Sequence, residues 1–151
     1  MWVGHFAIGL AFYLFIHVAT IAEYASDEGT PSTRLTPKFV VSTLVFAIAS
    51  VWQHKYHEYL SSLVKYTLPN RFGATHIVAP HYTAECLLYA SLAVLTAKDG
   101  QLFNRTLLCV LAFVVVNLGV TADGTKKWQL SKFAGRKAEV RMRWRMLPGL
   151  F

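Results

Sequence analysis

Charge is scarce in this chain, and acid is scarcer than base: eight Asp and Glu stand against fifteen Lys and Arg, and 15% of the 151 residues are charged. That excludes an ordinary soluble domain, in which about a quarter of residues carry charge. With 54% hydrophobic residues and a mean hydropathy of +0.38, the sequence reads as an integral membrane protein. Cysteine is sparse too. Cys86 and Cys109 both fall in apolar stretches, which excludes a disulfide framework and leaves them as packing residues. The six histidines are scattered, and the one close pair, His54 and His57, lacks the clustered histidine motifs of a membrane di-iron oxygenase, so no metal is expected. A net charge of +7 raises nucleic acid as a partner. The cations gather beside an apolar block, however, where anionic headgroups or a phosphorylated cofactor are the expected partners, and no nucleic acid is.

What is present is apolar sequence in blocks, over residues 2–24, 39–52, 82–97 and 102–120. A membrane span needs about 20 residues, so the first and fourth blocks suffice alone while the second and third must borrow flanking residues or tilt. The first block has no basic start and exceeds the apolar core of a signal peptide, about 7–15 residues, and it is read as an uncleaved span. Four crossings put the connection 53–79 and the C-terminal tail on one side, with Lys55, Lys65, Arg71 and the cations from Lys126 to Arg145. Arg34, Lys38, Lys98 and Arg105 lie on the other, so the positive-inside rule makes the tail cytoplasmic. The expected fold class is an all-α membrane protein of about four transmembrane helices with a basic cytoplasmic C-terminal tail, in one domain over 1–151. Residues 26–37 read as a turn-rich lumenal loop. Asn104-Arg105-Thr106 is a glycosylation sequon too close to the fourth span to be used. Trp128 and Phe133 suit the membrane interface. The ending from Arg141 to Phe151 returns from a basic run to apolar residues, so the terminus is expected to pack back into the protein or bilayer, a solvated lipid-binding tail being the plainer alternative.

Chemistry concentrates in Ala79 to Glu85, reading A-P-H-Y-T-A-E. Pro80 fits the first position of a helix, where its missing N–H leaves nothing unsatisfied. Helical spacing then puts His81, Tyr82, Glu85 and Tyr89 on one polar face of an otherwise apolar helix. An acid in a membrane segment points to function, the structural alternative being a Glu85–His81 pair that holds two helices together. Glu85 and Tyr82 are therefore the candidate catalytic residues. In the first block, His5 and His17, with the Phe12, Tyr13 and Phe15 cluster, read as packing or interfacial residues. Residues 53–63 continue at helical spacing beyond the second block, and Gln53, His54 and His57 fall near the cytoplasmic surface, as a polar cluster for a ligand or an interfacial helix end. The loop 66–78 leads into Pro80 and is placed to fold over whatever Glu85 faces.

Four motifs in order carry a resemblance. They are Gln53-His54-x-x-His57-x-x-Leu60-x-x-Leu63, then Pro80-His81-Tyr82-x-Ala84-Glu85, then Thr125-x-x-Trp128-x-x-x-Lys132-Phe133, and Arg141-x-Arg143 before Met146-Leu147-Pro148-x-Leu150-Phe151. Together the set resembles the C-terminal domain of the steroid 5α-reductase family, and within it the polyprenol (polyprenal) reductase branch. Family members reduce a carbon–carbon double bond conjugated to a carbonyl, with hydride from NADPH. The resemblance implies that Glu85 hydrogen-bonds the substrate carbonyl and that His81, Gln53, His57 and Arg143 bind the cofactor, with Arg141 and Arg143 also helping to hold the cytosolic end. Asparagine stands at the His81 position in steroid-reducing relatives, and histidine fits the polyprenol branch.

Lys126 and Gln129 occupy places where the branch carries histidine and tyrosine, and Val64 stands where the family has arginine. The family resembles seven spans, so a chain opening at Met1 before a mid-domain span is expected to be N-terminally truncated. It would then lack spans that supply a tyrosine partner to the glutamate and arginines for the cofactor phosphates. The implied function is NADPH-dependent reduction of the α-isoprene double bond of a polyprenol or polyprenal in the endoplasmic reticulum, for dolichol synthesis and protein N-glycosylation. The rivals are a catalytically inactive module of the same frame, a membrane methyltransferase of the isoprenylcysteine or phospholipid type using S-adenosylmethionine, and steroid reduction.

Overall fold

Helix starts in this chain coincide with caps and prolines. Thr36 accepts a hydrogen bond from the Phe39 N–H at 3.2 Å and Pro37 opens the first turn of α2, Pro37–Ser62. Pro80 opens α3, Pro80–Leu95, as its fixed φ predicts. Asn104 accepts from the Leu107 N–H at 2.9 Å and opens α4, Arg105–Lys132. Before these comes α1, Val3–Ala25, and after them a 3-10 turn, Ala134–Arg136, and a short α5, Lys137–Met142. The computed structural model describes residues 3–25, 35–98 and 100–151; most of the expected 26–37 loop and the side chain of His5 lie outside the described residues. No strand forms among the described residues, and the all-helical expectation holds.

Small residues let the helices approach closely: Ala49 of α2, Ala84 and Ala93 of α3 and Ala122 of α4 are 0–1% exposed. α3 lies between α2 and α4. α1 rests on α4, where the Phe12 and Phe113 rings are 5.2 Å apart. The α1 backbone stands further from α2 and α3 than from α4, and the gap this leaves becomes the cleft described below. Leu14, Phe15 and Ile21 of α1, Val41 and Ile48 of α2 and Val116 and Val120 of α4 are exposed, an apolar surface of the kind lipid covers.

One helix runs beyond its expected end. α2 continues past Trp52 to Ser62, as the helical spacing of residues 53–63 implies, but α4 continues past Val120 to Lys132, so Thr125 to Lys132 is helix rather than tail. Asp123 and Lys127, at i and i+4 and 2.6 Å apart, support that extension, as does a stretch rich in Lys, Gln and Leu. Among the described residues α4 is the one helix both long and apolar enough to cross a membrane by itself, and Ala7–Glu23 is a shorter apolar stretch. α3, at 16 residues, reaches about 24 Å, short of a hydrocarbon core about 30 Å thick. Cys86 is buried, as a packing residue should be, whereas Cys109 is exposed on the outer face of α4.

The C-terminal segment turns back into the protein, as its apolar ending implies. Trp144 N donates to His76 O at 2.7 Å, Val78 N to Trp144 O at 2.8 Å and Ala79 N to Arg145 O at 3.2 Å, around a lone parallel bridge between Ile77 and Trp144. Thr83 Oγ1 donates to Met146 O at 2.6 Å, and Met146 is 1% exposed. Phe151 packs over Gly119 of α4, beneath the Arg145 guanidinium. The terminus therefore clamps the first turn of α3, the turn that carries His81 and leads to Glu85.

Candidate active site

α2 and α3 run antiparallel, and residues one turn apart on each meet in two rungs. Gln53 Nε2 donates to Glu85 Oε2 at 3.3 Å, and one turn away the His57 and His81 rings meet edge to face with centroids 5.0 Å apart. Tyr56 stacks on His81 at 5.2 Å, and the Tyr82 ring lies 4.2 Å from it. His57 is exposed, whereas Tyr56 is 1% exposed. His81 Nδ1 is buried without a hydrogen-bond partner, and such an orphan calls for a ligand group or water. Glu85 thus takes Gln53 as its hydrogen-bond partner, in place of the Glu85–His81 pair that the structural alternative supposed.

Glu85 and Gln53 stand at one end of a cleft of about 440 Å³ between α1, α2 and α3. α3 supplies Glu85, Leu88, Tyr89, Leu92 and Thr96, α1 supplies Tyr13, Ile16, His17, Thr20 and Ile21, and Phe46 and Leu107 complete the lining. From Glu85 to Thr96 the cleft follows about 16 Å of helix. Of the face that spacing assigns to α3, Glu85 and Tyr89 line the cleft. His81 and Tyr82 sit beside it in the aromatic group. Sequence reasoning left Tyr13 and His17 as packing residues. The available signal was their spacing with Thr20, i, i+4 and i+7, a polar stripe on an apolar helix.

Arg143 makes its hydrogen bonds outside this group, although its charge acts on Tyr56. Its side chain is 0% exposed and bonds Glu139, while Nη1 donates to Pro69 O at 2.9 Å. Its own carbonyl accepts from Lys126 Nζ. The Arg143 hydrogen bond, with help from Arg136, holds the Glu139 carboxyl below the usual glutamate range. Arg143 therefore ties the 63–79 connection to α5 and the terminal segment. Lys126, a departure from the branch pattern, belongs to the same tie, and Gln129, the other departure in that motif, is buried on α4. His54 and Val64 are exposed. Among the described residues no group of three or more His, Cys, Asp and Glu side chains is arranged to hold a metal.

A family model described as 3-oxo-5-alpha-steroid 4-dehydrogenase matches residues 3–151. The chain belongs to that family. Within the family match fall all four motifs that carried the sequence resemblance, and with them the Gln53–Glu85 and His57–His81 rungs. The polyprenal reductase of Saccharomyces cerevisiae is 28% identical over 131 residues, covering 86% of this chain and 46% of that protein. An uncharacterised protein of Schizosaccharomyces pombe is 22% identical over 154 residues, covering 100% of this chain and 52% of that protein. The chain spans about half the length of these curated relatives. No solved structure matches.

Proposed function

We propose that this chain is a membrane-embedded reductase that saturates the conjugated double bond of the α-isoprene unit of a polyprenal, with NADPH as cofactor. The observation that carries the reading is Glu85, an acid held by Gln53 at the end of an otherwise largely apolar cleft. Membership of the steroid dehydrogenase family and similarity to a polyprenal reductase favour reduction over methyl transfer, and a polyprenyl over a steroid substrate. The cleft agrees with this, since a polyprenyl tail needs no polar contacts beyond its head.

The residues beside Glu85 fit a nicotinamide. His81 Nδ1 is buried and lacks a partner, and a carboxamide can both donate to and accept from a ring nitrogen. His81, His57 and Gln53 would hold that end of the cofactor, with Tyr56 backing His81. When bound, the reduced nicotinamide supplies hydride. Negative charge then gathers on the substrate oxygen, and Glu85 donates its proton there, with Tyr82 supporting the His81 turn. An allylic alcohol has no carbonyl to take up that charge, which favours the aldehyde as substrate. The reading puts the chain in the endoplasmic reticulum membrane, with α1 to α4 crossing and the C-terminus cytoplasmic. There it would serve dolichol synthesis and hence protein N-glycosylation.

The test is expression in cells that lack their own polyprenal reductase, with the ratio of dolichols to polyprenols read by mass spectrometry. Dolichols should return with the native chain and not with Glu85→Gln. Persistent polyprenols despite stable membrane expression would overturn the proposal in favour of a non-catalytic module.

A further inference from the structure

We propose that Lys65, Tyr66 and Lys132 form a binding site for the phosphate headgroup of an anionic phospholipid at the cytoplasmic surface of the membrane. The inference rests on the orientation given above, with the C-terminus cytoplasmic, and not on the reaction.

The depth of the group follows from α4. At 28 residues this helix is about 42 Å long, which matches a bilayer with its headgroup regions, about 40–45 Å. Lys132, its last residue, then stands among the headgroups when Arg105, its first, stands at the opposite surface. Trp128 lies one turn deeper, 45% exposed and edge to face with Phe133, where an interfacial aromatic belongs.

Most of the cations that follow on α4, α5 and the terminal segment already have partners. Asp123 takes Lys127 and Arg145, Glu139 takes Arg136 and Arg143, and Lys126 donates to the carbonyls of Arg141 and Arg143. Lys65 and Lys132 make no ion pair among the described residues, yet both lean on one ring. Lys65 Nζ is 5.2 Å and Lys132 Nζ 5.0 Å from the Tyr66 centroid. The two ammonium groups are therefore at most about 10 Å apart, close to one Debye length, so their repulsion is only partly screened. An anion within reach of both relieves it.

The backbone beneath them carries a cost that the ring explains. Thr67 N donates to Val64 O at 3.1 Å and closes a turn with Lys65 and Tyr66 at its centre. Tyr66 has a φ of 65°, at a turn position that glycine or asparagine usually fills, and a bulky side chain is an outlier there. Such local strain concentrates at ligand clamps. Here it sets an exposed ring against both lysines at the end of α2 and the end of α4. A phosphate diester accepts hydrogen bonds from both ammonium groups, and the cytoplasmic leaflet is rich in anionic lipid.

The experiment reconstitutes the full chain in phosphatidylcholine bilayers containing phosphatidylserine with brominated acyl chains, and reads quenching of tryptophan fluorescence. A lysine near the surface contributes about fivefold in binding, so Lys65→Gln with Lys132→Gln should lower the relative affinity for phosphatidylserine about 25-fold. Lys55→Gln with Lys137→Gln removes the same charge from two other exposed lysines and should leave that affinity within about twofold of native. Tyr66→Gly suits the left-handed backbone, so it should not lower the unfolding temperature, yet it should weaken phosphatidylserine binding about threefold. Equal losses in the two lysine pairs would show diffuse attraction to the membrane surface and overturn the site, as would full affinity in Tyr66→Gly. Displacement of the brominated lipid by millimolar NADPH would assign the lysines to the cofactor and overturn it too. No turnover is read, so none of these outcomes bears on Glu85.

Discussion

Gln53 holds one oxygen of Glu85 at 3.3 Å, so a proton on the carboxyl belongs on the other oxygen and the acid has a defined donating side. Leucine at position 53 keeps the volume and removes the hydrogen bond. Gln53→Leu should therefore lower kcat roughly ten- to hundred-fold through misorientation, in single-turnover measurements that separate chemistry from binding. A rate within about twofold of native would show that Gln53 does not orient the acid. Glu85 was legible in the sequence, because an acid in an apolar run has few structural reasons to be there. His81 was legible through spacing and Gln53 and His57 through the motif resemblance, and the two rungs between α2 and α3 bring them together. The tyrosines were not separable in that way. Tyr82 and Tyr89 lie at comparable helical offsets from Glu85, and which one lines the cleft depends on where α1 rests, a tertiary contact with no local signal.

At the scale of elements, the C-terminal segment holds the start of α3 through backbone bonds to residues 76–79, and Arg143 anchors that segment from within. Arg143→Met should lower the unfolding free energy by about 2 kcal/mol, since Pro69 O and Glu139 each lose a buried charged donor while Glu139, 38% exposed, can rehydrate. The pH dependence has a definite sign. Glu139 has its folded pKa depressed by Arg143, so its contribution is complete above the ordinary glutamate value, about 4.3, and is lost as pH falls through the lower folded value. Thermal unfolding of the detergent-solubilised proteins should show the gap between native and Arg143→Met narrowing across that acid window. A constant gap would assign the loss to packing alone. The continuation of α2 to Ser62 was legible as helical spacing, whereas the extension of α4 to Lys132 escaped the sequence reading because hydropathy reports where a helix is apolar, while capping and i,i+4 pairs decide where it ends. Pro80, which acts through its own backbone, was legible as a start.

For the whole molecule, the all-helical architecture and the family followed from composition and from motif order, and the open cleft did not. It exists because α1 lies close to α4 and stands off from α2 and α3, an arrangement that four apolar blocks do not encode singly. The account joins that cleft to one reaction, reduction of a conjugated double bond with the substrate oxygen held at Glu85. The most direct test is incubation of the full chain, in nanodiscs, with a polyprenal and NADPH deuterated at the transferable position. The account predicts a saturated aldehyde carrying one deuterium at the β-carbon, and no such product with Glu85→Gln. Deuterium at the carbonyl carbon of a still-unsaturated alcohol, or no transfer at all, would contradict it.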